Sequence, residues 1–325
     1  MQYYFAPMEG VTSAVYRRVH HRYFPGVDKY FTPFATPTVH PAFTPRQMRD
    51  LSPEQNAGVP TVPQLLTRSA ADFIWAARAL AEMGYGEVNL NLGCPSGTVV
   101  SKGKGSGFLA YPDELDCFLD AVFGAVGEQI QISVKTRLGV SDPAEFSPLL
   151  TIYNRYPIAE LTIHPRVRAD FYKGGVRESA FADALSKTDL PLCYNGDVTS
   201  AADAARVEQS YPAVGALMIG RGLIADPSLV TRLRGGAAAD ADTLHRFHDE
   251  LLDCYTELFG SRKNAMLRMK ELWFYHIHLF EGGEKLMKRL RKATELRDFE
   301  ACSAEIFRTL QLRENVHPGW FRPAD

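Results

Sequence analysis

The chain has 325 residues, a length for two ordinary domains or for one α/β barrel with an appendage. Its 46% hydrophobic and 23% charged residues, with 25 Gly and 20 Pro scattered along the sequence, exclude wholesale disorder and a fibrous fold. Thirty-six Lys and Arg against 38 Asp and Glu leave a net charge of -2, so a polyanionic partner must be met by a local patch rather than by the field of the whole chain.

Five cysteines (Cys94, Cys117, Cys193, Cys254, Cys302) are odd in number, far apart and free of any CxxC pair. That usage fits a reducing, cytoplasmic compartment and neither a disulfide framework nor a zinc site. The start Met1-Gln2-Tyr3-Tyr4-Phe5 lacks a basic leader, and no stretch approaches the ~18 apolar residues that span a bilayer, so membrane insertion is not expected.

To about residue 234, short β-rich apolar runs alternate with helical patterns, each closing in a Gly- or Pro-marked turn. The spacing predicts strands at Tyr3–Ala6, Lys29–Phe34, Thr61–Leu65, Glu87–Leu92, Gln131–Lys135, Glu160–His164, Pro191–Tyr194 and Gly215–Ile219. Helices are predicted between them at Ala70–Met83, Pro112–Val126, Pro143–Tyr156 and Ala201–Gln209. Eight strands with intervening helices predict an α/β fold, a TIM (β/α)8 barrel, over residues 1–236. The rival, a doubly wound open sheet, announces itself by G-x-G-x-x-G after the first strand, where this chain has Ala6-Pro7-Met8-Glu9-Gly10. Gly103, Gly105 and Gly107 lack that fingerprint's spacing and read as a flexible loop.

A small-residue stretch, Gly235-Gly236-Ala237-Ala238-Ala239-Asp240, suits a linker. Beyond it, residues 240–325 read as a small all-α helical bundle, with apolar residues at helical steps from Phe247 to Phe259, Met266 to His278, Glu284 to Ala293 and Asp298 to Leu310.

Barrel chemistry gathers where strands end. After the first strand stand Pro7 and Met8; the third ends in Gln64, the fourth in Asn91-Leu92-Gly93-Cys94-Pro95. The later strands give Lys135-Thr136-Arg137, His164-Pro165-Arg166, Asn195-Gly196-Asp197 and Gly220-Arg221-Gly222. Glycines around Arg221, with Asn195-Gly196-Asp197, bring close-approach backbone and a guanidinium to the place where barrels hold a phosphate, which predicts an anionic ligand. Lys135 is placed to neutralise negative charge on a bound ring, and Gln64 to read an amide edge. The Gly-Cys-Pro turn aims the thiol of Cys94, whereas the other four cysteines read as small buried hydrophobes. His245, His248, His276 and His278 lie in helical patterns without partner ligands, so no metal site is expected.

The motifs Ala6-Pro7-Met8-Glu9-Gly10-Val11, Asn91-Leu92-Gly93-Cys94-Pro95, Lys135-Thr136-Arg137, His164-Pro165-Arg166, Asn195-Gly196-Asp197 and Met218-Ile219-Gly220-Arg221-Gly222 stand in the order and spacing of the tRNA dihydrouridine synthases, which the chain resembles over the barrel and the tail. The resemblance implies an FMN enzyme that reduces uridine in tRNA to dihydrouridine with electrons from NADPH, acting as a monomer. It implies that Pro7, Met8 and Gln64 meet the isoalloxazine ring and Lys135 its pyrimidine side. It further implies that His164, Asn195, Gly196, Asp197, Gly220 and Arg221 hold the ribityl chain and phosphate. Cys94 resembles the proton donor, Asn91 the neighbour that orients the uracil, and Arg137, Arg166 and Tyr172 base or backbone contacts. Two departures stand out: Gly97 where many relatives carry Lys, with Lys102 and Lys104 close enough to replace that charge, and Thr67 where they carry Gly.

A near-neutral chain needs a local patch to hold tRNA. From Arg262 to Lys292 there are nine basic residues against three acidic, and Lys285, Lys288, Arg289 and Lys292 fall on one helical face, which predicts a phosphate-binding stripe. Two competing readings remain: a flavin enzyme for a free pyrimidine or other small conjugated substrate, and a non-catalytic tRNA-binding protein. The basic tail is superfluous to the first, and Cys94, Lys135 and Arg221 are superfluous to the second.

Overall fold

Proline 63 is where the sheet closes on itself. In a computed structural model, which describes residues 1–316, the strands are β1 (Gln2–Phe5), β2 (Lys29–Phe31), β3 (Thr61–Val62), β4 (Gln64–Leu65), β5 (Glu87–Leu92), β6 (Gln131–Arg137), β7 (Leu161–His164), β8 (Leu192–Tyr194) and β9 (Ala216–Ile219). They form one parallel sheet in the order β3-β2-β1-β9-β8-β7-β6-β5-β4. Its two ends, β3 and β4, are halves of one run, broken at Pro63 because proline has no N–H to give the ladder. The carbonyls of Pro60 and Val62 accept from Tyr30 and Thr32 on one side, and that of Pro63 accepts from Asn89 on the other. The single stave thus joins both neighbours, and the eight predicted strands make a TIM barrel.

The predicted helices are present with small changes at their ends. Ala70–Glu82 and Ala201–Ser210 start on Ser69 and Ser200, whose side chains accept from the backbone of Asp72 and Asp203. The segment expected as one helix from Pro143 divides into a 3-10 turn, Pro143–Glu145, and a helix, Phe146–Tyr153. The carboxylate of Glu145 causes the division by accepting from the backbone N–H groups of Val140, Ser141 and Asp142. The glycine segment expected to be a flexible loop is instead packed: Gly105–Ala110 is a 3-10 turn whose first five residues are buried. Gly105 has φ +57, and a Cβ there would lie 2.8 Å from the carbonyl oxygen of Cys94, so only glycine lets the turn close against that residue.

The tail contains helices Ala241–Phe259, Arg262–His276, Glu284–Lys292 and Leu296–Thr309; residues 317–325 of the stretch expected to be helical lie outside the described residues. Its apolar faces continue the barrel's own core. Phe247 packs against Tyr16, His20 and Tyr23 of the first helix, Ala14–Tyr23, and against Phe24, which caps it, and Arg268 donates to the carbonyl of Gly10 just beyond β1. The expected linker is tied down in part, since the N–H of Ala239 donates to Oγ of Ser228 at 3.1 Å. Among the described residues no helix is long and apolar enough to cross a membrane.

The barrel interior is unequally divided. Tyr4, Phe31, Val62, Cys193, Ala216 and Met218, from β1, β2, β3, β8 and β9, form an apolar cluster of their own with Ala6, the residue after β1. Polar side chains fill the other half: Gln64, Asn89, Ser133 and Thr162 are each at most 1% exposed.

Candidate active site

At the carboxyl ends of the strands lies a cavity of about 940 Å3, within the roughly 300–1,000 Å3 range of small-molecule sites. Pro7, Met8, Gln64, Asn91, Cys94, Lys135, Arg137, His164, Tyr172, Asn195, Gly196, Asp197, Gly220 and Arg221 all line it, so loops from across the barrel converge there. Lys102 and Lys104 line it too, beside the turn that carries Cys94. Two tail residues, Phe274 and Tyr275, complete the wall; periodicity had marked their helix but not which face meets the barrel. A second cavity of about 940 Å3, between Arg46, Arg49, Tyr255 and Arg268, holds none of the strand-end groups of β4 to β9.

Two predicted groups lie elsewhere. Arg166 is fully buried behind the wall, where its guanidinium pairs with the carboxylate of Asp197, donates to the carbonyl of Gly174 at 2.5 Å and donates to Nε2 of His164 at 3.0 Å. Lys285, Lys288, Arg289 and Lys292 are exposed on helix Glu284–Lys292 and do not line the cavity. Arg289 is engaged there with Glu305 at 2.8 Å.

The cavity is crowded with cations. Asp197, at φ +48, receives both Arg166 and Arg221, the latter at 3.0 Å. The ring of Tyr172 lies between two guanidinium groups, 5.2 Å from Arg137 and 5.3 Å from Arg221. Arg137 is itself held by the carbonyls of Gly93 at 2.8 Å and Val167 at 3.1 Å. Burial, then the charge of Arg137, pushes the ammonium of Lys135 down to about 8, and burial lowers Arg137 and Arg221 as well. Burial among these cations also holds His164 well below its ordinary value. Because arginine can only donate, Nε2 of His164 is the acceptor and its proton sits on Nδ1. Five cations (Lys102, Lys104, Lys135, Arg137, Arg221) line the cavity against two carboxylates (Glu9, Asp197), which leaves the site short of negative charge.

The same cavity carries the thiol. Oδ1 of Asn91 accepts from the N–H groups of Gly93 at 3.0 Å and Cys94 at 2.9 Å, folding the chain sharply after β5. From the far side, Ser106 fixes the carbonyl of Cys94 through its N–H at 3.1 Å and its hydroxyl at 2.8 Å. Burial pushes the Cys94 thiol above its ordinary range, although Arg137 and Lys135 pull it the other way, so it stays protonated at neutral pH.

The dihydrouridine synthase family model matches residues 4–311. A protein of Rhodobacter capsulatus named "Probable tRNA-dihydrouridine synthase" is 30% identical over 280 residues, covering 83% of this chain and 84% of its own. The tRNA-dihydrouridine(16) synthase of Shewanella oneidensis is 28% identical over 308 residues, covering 91% and 95%. Among solved structures, a variant of NCR from Zymomonas mobilis superposes with a TM-score of 0.52 at 16% identity, over 73% of this chain and 88% of its own, a likeness of fold. A match that runs from β1 to the last helix of the tail places the chain in the dihydrouridine synthase family.

Proposed function

We propose that the protein reduces specific uridines of tRNA to 5,6-dihydrouridine in the cytoplasm, with FMN as cofactor and NADPH as reductant. The observation that carries this reading is one cavity lined both by a protonated thiol and by a surplus of buried cations. That surplus suits the phosphate and electron-rich ring of FMN, because an anionic ligand there relieves the mutual repulsion of Lys135, Arg137 and Arg221.

Bound FMN, once reduced, supplies the hydride that goes to C6 of the uracil. Cys94 donates the proton to C5, acting as a general acid and not as a thiolate nucleophile. Its burial suits that task, since the proton must remain on sulfur until the base arrives. Asn91 fixes the turn that presents the thiol and orients the uracil beside it. Lys135, Pro7, Met8 and Gln64, which line the cavity, would hold the flavin ring, Lys135 offsetting negative charge on its pyrimidine side. Arg221, His164, Asn195, Gly196 and Gly220 bind the ribityl phosphate, while Asp197 orients Arg221 and is itself anchored by Arg166. Arg137 and Tyr172 face the flipped nucleotide, and Arg166 acts on that side through the loop it holds at Gly174. Lys285, Lys288, Arg289 and Lys292 hold the tRNA backbone away from the reacting base, and the protein works as a monomer.

The test is direct. Purified protein should carry the visible absorption of a flavin, and tRNA from cells lacking the gene should lose dihydrouridine at specific positions and regain it on incubation with enzyme and NADPH. Turnover of free uracil with no change in tRNA would favour the small-substrate alternative, and a colourless, inactive protein that still binds tRNA would favour the non-catalytic one.

A further inference from the structure

Gln64 and Asn91 are amides at the cavity, and what they offer a ligand depends on which way each amide points. A hydrogen-bonded column inside the barrel settles both. Oδ1 of Asn91 accepts two backbone N–H groups, which only oxygen can do. Its Nδ2 therefore donates to Oε1 of Gln64 at 2.7 Å, and Nε2 of Gln64 donates to Oδ1 of Asn89 at 2.7 Å. Nδ2 of Asn89 donates to Oγ of Ser133 at 2.9 Å, which leaves the hydroxyl proton of Ser133 for Oε1 of Glu87 at 2.6 Å. Oε2 of Glu87 then takes Lys29 at 2.6 Å. Each link is forced by the one before, and neither end can reverse: one is backbone N–H, the other a carboxylate.

The column lies deep in the barrel. Glu87, Asn89 and Asn91 alternate along β5, Ser133 of β6 and Gln64 of β4 both stand in register with Asn89, and none of the five is more than 9% exposed. Barrel interiors are usually filled by apolar side chains, as the other half of this one is, and buried polar groups are a liability unless fully bonded. Packing alone gives no reason for five polar side chains here.

We propose that Glu87, Ser133 and Asn89 are positioning residues for the cavity above them. From below the cavity, toward the amino ends of the strands, they set the polarity of the column, so that Asn91 commits its carbonyl to the Cys94 turn while Asn91 and Gln64 each keep one N–H to offer a ligand. The site thereby selects a ligand rich in acceptors at that wall, such as the carbonyl groups and ring nitrogens of a flavin or a uracil. The proposal rests on the flavin reading only for its second probe.

The experiment uses the full chain freed of flavin, as wild type, Ser133→Ala, Ser133→Thr and Glu87→Gln, with thermal melting as the check on folding. Iodoacetamide labelling of Cys94, resolved by peptide mass spectrometry against exposed Cys117 as internal reference, reads the turn without any cofactor. FMN titration reads the ligand wall. Loss of one hydrogen bond in the column should change Cys94 labelling several-fold and weaken FMN by roughly tenfold in Ser133→Ala and Glu87→Gln, with both restored in Ser133→Thr. Cys94 labelling and FMN affinity equal to wild type in Ser133→Ala and Glu87→Gln overturn the proposal, including the case in which only the melting temperature falls. Altered labelling in a protein whose wild type takes up no FMN upholds the column and refutes the flavin reading instead.

Discussion

Lys135 should make the ligand-free protein less stable than it need be. Its ammonium sits among cations and, among the described residues, donates no hydrogen bond, and burial brings its pKa down from 10.5 to about 8. At about 1.4 kcal/mol per unit the shift corresponds to roughly 3 kcal/mol, which water entering the open cavity reduces to roughly 1–3 kcal/mol. Lys135→Met keeps the length of the side chain and removes the charge. The flavin-free variant should therefore be more stable than wild type by roughly 1–3 kcal/mol at pH 7 in urea unfolding, while its affinity for FMN falls by about 10- to 100-fold, as for loss of one charged contact. The pH dependence has a definite sign. A lysine whose folded pKa is depressed binds less proton folded than unfolded between about 8 and 10.5, so wild-type stability rises across that window. The advantage of the variant should be full below pH 8 and gone by about 10.5. A Lys135→Met protein that is no more stable than wild type at pH 7, or that binds FMN equally well, refutes the reasoning.

Because burial raises the Cys94 thiol, reduction of tRNA by pre-reduced enzyme should hold its rate past the ordinary thiol value of about 8.5 and fall only as the thiol ionises above it; a pH-rate profile falling below pH 8 contradicts a buried thiol donor. Gly222→Ala would place a Cβ 2.2 Å from the carbonyl oxygen of Val198, so it should cost more than about 2 kcal/mol and abolish FMN binding, measured by melting and titration. Reversing Lys285 and Lys288 to Glu should weaken tRNA binding and flatten its slope against salt while leaving FMN affinity unchanged; unchanged tRNA affinity removes the stripe from the account.

The strands were legible because a parallel barrel needs near-continuous apolar runs, and Ala216–Ile219 is such a run from end to end. What stayed hidden were features set by partners distant in sequence. The break at Pro63 has meaning only once β3 and β4 are seen to pair with different neighbours. The mobility assigned to Gly103–Gly107 followed from composition, whereas Cys94 and Val99 close around Gly105 and make glycine a packing requirement. Apart from Tyr172, which lies eight residues beyond β7, every cavity-lining residue expected near the flavin or the uracil comes from a strand end, which chain order alone locates; Arg166 faces away because its neighbour Asp197 arrives from another strand. The polar alternation of Glu87, Asn89 and Asn91 was visible in the sequence, and in a barrel interior it was the one signal of the column beneath the site.

The most direct measurement places wild type and Cys94→Ala, each loaded with FMN and pre-reduced by NADPH, on tRNA from cells lacking the gene, and maps dihydrouridine by position. Wild type should convert a defined uridine and reoxidise its flavin as it does so, whereas Cys94→Ala should bind flavin and tRNA normally yet convert at least about 100-fold more slowly, the share of a lost general acid. Equal conversion by the two proteins would show that the sulfur of residue 94 delivers no proton and that the chemistry assigned to this cavity is wrong.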